Sequence, residues 1–154
     1  MVVIQVLPNI FNNLANKLIF FIILVLFSSI LSAEEKPHAP EVIQGSIIVN
    51  AEQAIDLILN NPDLIVIDAR KKTEYVKGHI EGAINMLNTK MKAEDLEKVT
   101  ADKTRAILFY CNGTRCLRSS DSINKAKSWG YTKLIWFRGG WKEWTEKRLP
   151  VVTD

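Results

Sequence analysis

The chain carries two cysteines, Cys111 and Cys116, and both fall in the stretch ILFYCNGTRCLRSS, residues 107–120. Cys111 ends an apolar run, and a Ser-rich stretch follows Cys116. A pair of thiols can form a disulfide, hold half of a metal site, or supply a nucleophile as thiolate. A metal site needs further ligands, but the only histidines are His38 and His79, and there is no second cysteine pair. No metal is therefore expected. Thioredoxin-like redox motifs place two residues between their cysteines, whereas four intervene here. A Cys-x5-Arg phosphate loop would need Arg at position 117, which is Leu. Two inert, buried cysteines remain the bland alternative. It is weakened by the Asn-Gly that follows Cys111.

A loop between a strand and a helix gathers backbone N–H groups around one point, near the positive end of the helix. Gly113 permits turns that other residues resist. Asn112 and Thr114 add polar side chains, and Arg115 or Arg118 adds positive charge. These surroundings would lower the pKa of the Cys111 thiol and hold the anionic group of a substrate. Cys111 is thus placed as a nucleophile toward an anion-bearing substrate.

The elements that must position this loop read as alternating strands and helices. SIIVN (46–50) is a short apolar strand, and Asn50 can cap the following helix AEQAIDLIL, whose Ala51, Ala54, Ile55, Ile58 and Leu59 fall at helical spacing. LIVID (64–68) is a β-branched run of the kind buried on both faces. RKKTEYVKG reads as a short polar helix, GAINM (82–86) as a strand, and KAEDLEKV (92–99) as an exposed helix. RAILFYC (105–111) is the most apolar strand and ends at Cys111. A helix over 117–129, a strand KLIWF (133–137) and a short closing helix after Arg-Gly-Gly complete the chain. The expected fold class is α/β, one domain with a mostly parallel central sheet and helices on both faces. Sites in such sheets sit at the carboxyl ends of strands, where Cys111 falls.

The chain's 154 residues and net charge of +3 fit one domain and argue against nucleic-acid binding. Residues 1–33 have the order of a secretory signal. Lys17 precedes the apolar run 18–31, and Leu-Ser-Ala follows. An uncleaved membrane anchor is the alternative reading of this segment. Residues 34–45 read as an N-terminal arm and 46–154 as the domain. Export places the domain in the periplasm or outside the cell, where paired thiols tend to oxidise. No apolar stripe suggests an interface, so a monomer is expected.

Beyond these features the sequence resembles the rhodanese family of single-domain sulfurtransferases. VIDARKKTEYVKGHIEGAINM (66–86), FYCNGTRCLRSS and GYTKLIWFRGGWKEWTEKRLPV (130–151) match that family's hallmarks in order and spacing. The family's commonest loop reads Cys-x-x-Gly-x-Arg-Ser. Here Gly113 comes one place early and Cys116 stands at the sixth position. The stretch is similar instead to a subgroup with Cys-Asn-Gly-x-x-Cys-x-x-Ser, matched by Cys111, Asn112, Gly113, Cys116 and Ser119. The six-residue span from Cys111 to Cys116 favours sulfur over phosphate substrates.

The resemblance implies a mechanism. Cys111 takes the sulfane sulfur of a small anionic donor such as thiosulfate and passes it, as a persulfide, to a thiol or cyanide. No cofactor is needed, and Asn112 to Cys116 together with Arg118 bind substrate. Cys116 is a packing residue, a resolving thiol, or the partner of Cys111 in an oxidised off-state. Two other classes stay open: a non-catalytic sulfur-binding or redox-sensing module serving a periplasmic redox partner, and a thiol-disulfide oxidoreductase using both cysteines.

Asp68 and Arg70 are expected to form an ion pair at a strand end, with Glu74 joining that network. His79 is expected to be a hydrogen-bonded structural residue. Trp129 and Trp136 are expected in the core and Trp141 and Trp144 over the pocket rim. The lysines at 71, 72, 125, 127, 142 and 147 are read as solvated.

Overall fold

The computed structural model describes residues 38–154, and Leu18 before them. The leader expected over 1–33 therefore lies outside the described residues, apart from Leu18, and so does the start of the arm. Among the described residues no helix is long and apolar enough to cross a membrane.

Short β-branched and aromatic runs form five strands: β1 (Ser46–Val49), β2 (Ile65–Asp68), β3 (Ile84–Asn85), β4 (Ile107–Tyr110) and β5 (Leu134–Phe137). All pair in parallel, in the order β1-β5-β4-β2-β3. Between them run α1 (Ala51–Asn60), α2 (Lys72–Tyr75), α3 (Ala93–Val99), α4 (Arg118–Ser128) and α5 (Gly140–Glu146). The central strands β4 and β5 are buried along their whole length, as a sheet covered on both faces requires.

Alternation along the strands divides the core in two. Ile67, Ile107, Phe109, Leu134 and Trp136 face α3 and α4, meeting Leu96, Ile123 and Ala126. Val66, Leu108, Tyr110, Ile135 and Phe137 face the other way, toward Ala51, Ala54, Tyr75 and Trp144. Each fully buried side chain of this size contributes about 1.5–3 kcal/mol. Asn50 caps α1 reciprocally: its side chain accepts from the Gln53 N–H at 2.9 Å, while its own N–H donates to the Gln53 side chain at 3.0 Å.

Several elements differ from the sequence reading. Leu59 points outward, 74% exposed, because α1 buries its small residues against the sheet. The polar-looking α2 contributes Tyr75 to the core, and the exposed-looking α3 contributes Leu96. Trp144 is a core residue rather than a rim residue, packed edge-on to Phe137 at 6.1 Å. Ile47 on β1 is 67% exposed because β1 is an edge strand.

The described part of the arm lies against the domain. Ala39 and Ile43 are buried in the α4 side of the core. The Arg138 side chain donates to the carbonyls of Pro40 and Ala39, at 2.9 and 3.1 Å.

Candidate active site

Strand register places the site. Asp68, Tyr110 and Phe137 are register partners at the carboxyl ends of β2, β4 and β5. The residue after Tyr110 thus emerges at the middle of that edge, between two neighbouring strands. This residue is Cys111.

The chain then turns through residues 112–117 and re-enters as α4. Gly113 has φ of 148°, and a side chain there would press on the Gly139 carbonyl at 3.2 Å. The Cys116 N–H donates to the Gly113 carbonyl at 2.9 Å, closing the loop on itself. The start of α5 clamps it from the opposite side. The Trp141 N–H donates to the Cys111 carbonyl at 2.7 Å, and the Lys142 N–H to the Asn112 carbonyl at 3.1 Å. Gly140 has φ of 56°, and any Cβ there would collide with the Cys111 carbonyl oxygen. The arm adds a third support: the Ala39 N–H donates to the Thr114 carbonyl at 3.0 Å.

The two thiols have different surroundings. Cys111 is 1% exposed. Its sulfur accepts from the Ser119 hydroxyl at 3.2 Å, and Ser119 in turn accepts from the Trp136 indole N–H at 3.0 Å. The Cys111 thiol reaches the Cys116 carbonyl at 3.2 Å. Cys116 is half-buried and lines an open cleft of about 970 Å³. Asn112, Gly113, Thr114, Arg115 and Arg118 share that wall.

Acidity follows the same division, and it corrects the expectation that Cys111 is the depressed thiol. A hydrogen bond with Cys111 is the main cause pulling the Cys116 thiol down, to about 6, against the opposing effect of burial. The N–H groups of Arg118 and Asn112, and the Arg118 charge, help. Cys111 is pushed up, first by its hydrogen bond to Cys116 and then by burial. The loop's N–H groups are divided between the sulfurs: those of Arg118 and Asn112 favour the Cys116 thiolate, and that of Gly113 favours the Cys111 thiolate.

Glu74 does not join the Asp68–Arg70 pair. It accepts from the Asn112 side chain at 2.6 Å and from Arg118 at 2.8 Å, so it anchors the loop instead. Burial raises its pKa, but these bonds and the Lys71 N–H outweigh that and hold it below its ordinary value. Arg118 is therefore ion-paired, while Arg115 has no carboxylate partner among the described residues.

Asp68 and Arg70 form a buried pair at 2.6 Å. Asp68 also accepts from the Tyr110 hydroxyl at 2.7 Å, Arg70 donates to the Gly78 carbonyl at 2.7 Å, and Trp141 stacks over the guanidinium at 4.3 Å. Neither Trp141 nor Trp144 lines the cleft. His79 donates from Nδ1 to the Tyr75 carbonyl at 3.1 Å and stacks on the Tyr75 ring at 3.7 Å.

Sequence reasoning missed Lys142 and His38, which complete the cleft wall. Lys142 is solvated, as expected, and α5 also carries it to the cleft wall beside the loop. His38 was weighed only as a metal ligand, and the arm delivers it. The Gly139–Gly140 pair was the available signal, since two adjacent glycines before a helix mark a close backbone approach. Among the described residues no group of three or more His, Cys, Asp or Glu side chains converges to hold a metal.

Comparison with known proteins fits this geometry. Residues 50–147 match the rhodanese-like domain family. The Escherichia coli protein YibN is 27% identical over 96 residues, covering 62% of this chain and 65% of its own length. The chain thus matches just under two thirds of that relative. A Bacillus halodurans crystal structure superposes with a TM-score of 0.63 at 23% identity, over 70% of this chain and 77% of that one. The polysulfide-sulfur transferase homodimer of Wolinella succinogenes superposes with a TM-score of 0.57 at 20% identity, over 71% of this chain and 80% of its own. With its five-stranded parallel sheet, its cysteine at the end of the central strand and a family match over most of the described residues, the chain belongs to the rhodanese-like domain family.

Proposed function

We propose that this domain is a sulfurtransferase that carries sulfane sulfur as a Cys111 persulfide, from a small anionic donor such as thiosulfate to a thiol or cyanide. The observation that carries the reading is the thiol pair at the end of the central strand, opening through Cys116 onto a basic cleft. Arg115 supplies positive charge to that cleft, and Lys142 and Arg118 do so in part because Glu146 and Glu74 balance them. An anionic donor is drawn to such a wall. The transfer occurs in two covalent half-reactions: sulfur enters and sulfite leaves, then the acceptor takes the sulfur. The sulfur-transfer activity that the Wolinella succinogenes protein is named for supports the assignment at the level of the family.

Export to the periplasm or beyond belongs to the same proposal and rests on the sequence of residues 1–33 alone. The test is steady-state turnover with thiosulfate and cyanide. Parallel lines in a two-substrate analysis, lost in Cys111→Ser, support the reading. Stoichiometric loading without turnover would make the domain a sulfur-binding module instead. A second reading, thiol-disulfide exchange, is favoured by the closeness of the two cysteines, the Cys111 thiol reaching the Cys116 carbonyl at 3.2 Å. It requires a 2 Da mass loss on mild oxidation and equal dependence on both cysteines.

A further inference from the structure

We propose that Cys116 is the entry thiol: it takes the sulfane sulfur from the donor and hands it inward to Cys111, so the site is a two-thiol relay. The proposal rests on the sulfur-transfer reading and deepens it. Its ground is placement. Cys111 is 1% exposed, absent from the cleft wall, and covered by the loop, Ser119 and the start of α5. A donor in the cleft meets Cys116 first. Cys116 shares the cleft wall with Asn112, Thr114, Arg115 and Arg118, and the N–H groups of Arg118 and Asn112 favour its thiolate. Depressed acidity fits that placement, since a thiol with a pKa of about 6 is mostly thiolate at neutral pH.

The chemistry balances without any oxidant. The Cys116 thiolate attacks the outer sulfur of thiosulfate; the new S–S bond forms as the old one breaks, and sulfite leaves with the electron pair. The Cys111 thiol then gives its proton to the terminal sulfur of the Cys116 persulfide. The resulting Cys111 thiolate attacks that terminal sulfur, and Cys116 departs as thiolate. The net result is a Cys111 persulfide and a regenerated Cys116 thiolate. Ser119 donates to the Cys111 sulfur at 3.2 Å, and this bond stabilises the negative charge that develops there. The charged and titratable groups facing Cys116 are Cys111 below it, Arg115 and Arg118 on its own loop, Lys142 from α5, and His38 from the arm. The cations favour the Cys116 thiolate by their charge, and Cys111 favours it by its thiol hydrogen bond.

Trypsin separates the two thiols, because Arg115 lies between them: Cys111 falls in the peptide 106–115 and Cys116 in 116–118. The experiment mixes the purified full chain with thiosulfate, quenches with iodoacetamide from milliseconds to minutes, digests, and weighs both peptides. The expected result is about 32 Da first on 116–118, then on 106–115 as the first signal falls. Cys111→Ser should hold the sulfur on Cys116, and Cys116→Ser should load Cys111 at least about tenfold more slowly. Sulfur appearing first on 106–115 in the unaltered protein, with Cys116→Ser loading at the same rate, overturns the relay and leaves the sulfurtransferase reading intact. Sulfur on neither peptide in any form overturns both. The time course of the unaltered protein decides the order of loading even if a variant folds poorly.

Discussion

Two polar clusters sit side by side at the carboxyl edge of the sheet, one residue apart on β4. The first joins Asp68, Arg70 and Tyr110; the second joins Cys111, Cys116 and Ser119. In the first, the Asp68 side chain accepts from the Arg70 guanidinium and N–H and from the Tyr110 hydroxyl, and Arg70 also donates to Gly78 under a Trp141 lid. Its charges are matched and shielded, so it holds elements together and reacts with nothing. In the second, N–H groups and a neighbouring thiol favour a thiolate at Cys116, and that residue lines the open cleft. A buried charge that is fully partnered ties the fold together, whereas one that is partnered on all sides but one is available for chemistry.

That contrast can be broken from either side. Cys111→Ser should lower sulfurtransferase turnover by at least about 10³-fold, with thermal stability little changed; cyanolysis assays and a melting curve check both halves. Asp68→Ala should do the reverse. Leaving Arg70 buried without its carboxylate should cost about 3–5 kcal/mol of stability, read by denaturant unfolding, while the remaining folded protein still loads sulfur. Ser119→Ala should fall between the two, because it strips the Cys111 sulfur of a donor and leaves the Trp136 N–H without its acceptor. A loss of about 1–3 kcal/mol in stability is expected, together with slower sulfur loading. Full stability in this variant would remove the serine from the description of the site.

The smallest effect sharpens the comparison by pH. The depressed Cys116 thiol is charged above its pKa and protonated below it. Alkylation of Cys116 by iodoacetamide should be flat above about pH 6 and fall about tenfold per unit below it. Because the Cys111 hydrogen bond is the largest cause of that depression, Cys111→Ala should move the midpoint upward. An unchanged midpoint would assign the depression to the loop N–H groups and Arg118.

The two clusters were unequally legible in the sequence. The apolar run into Cys111 announced a buried central strand, and its end announced the loop, because strand burial leaves a continuous signature. The short spacing between Asp68 and Arg70 suggested a pair. Glu74 was assigned to the wrong cluster because its partners, Asn112 and Arg118, lie 38 and 44 residues away and no local pattern brings them together. Which thiol carries the charge was hidden for a similar reason. Both cysteines share one short loop, and only its curl decides how its N–H groups are divided between the two sulfurs. Lys142 and His38 reach the cleft from opposite ends of the domain, a placement set by packing rather than by periodicity. Leu59 shows the same limit inside a helix, since spacing marks an apolar stripe but not how far the partner surface extends.

The clamp of α5 on the cysteine loop has a consequence for biosynthesis. The chain is made from the amino end, and β1, its first strand, pairs with β5, its last. Neither the β1 edge nor the Gly140 contact with the Cys111 carbonyl exists until the final segment emerges. Both thiols are therefore complete in sequence yet unshielded while the nascent chain is finished, and contacts this distant along the chain are slow to form. Any oxidant present at that stage meets two open thiols, whereas in the folded domain Cys111 is shielded and both cysteines are free.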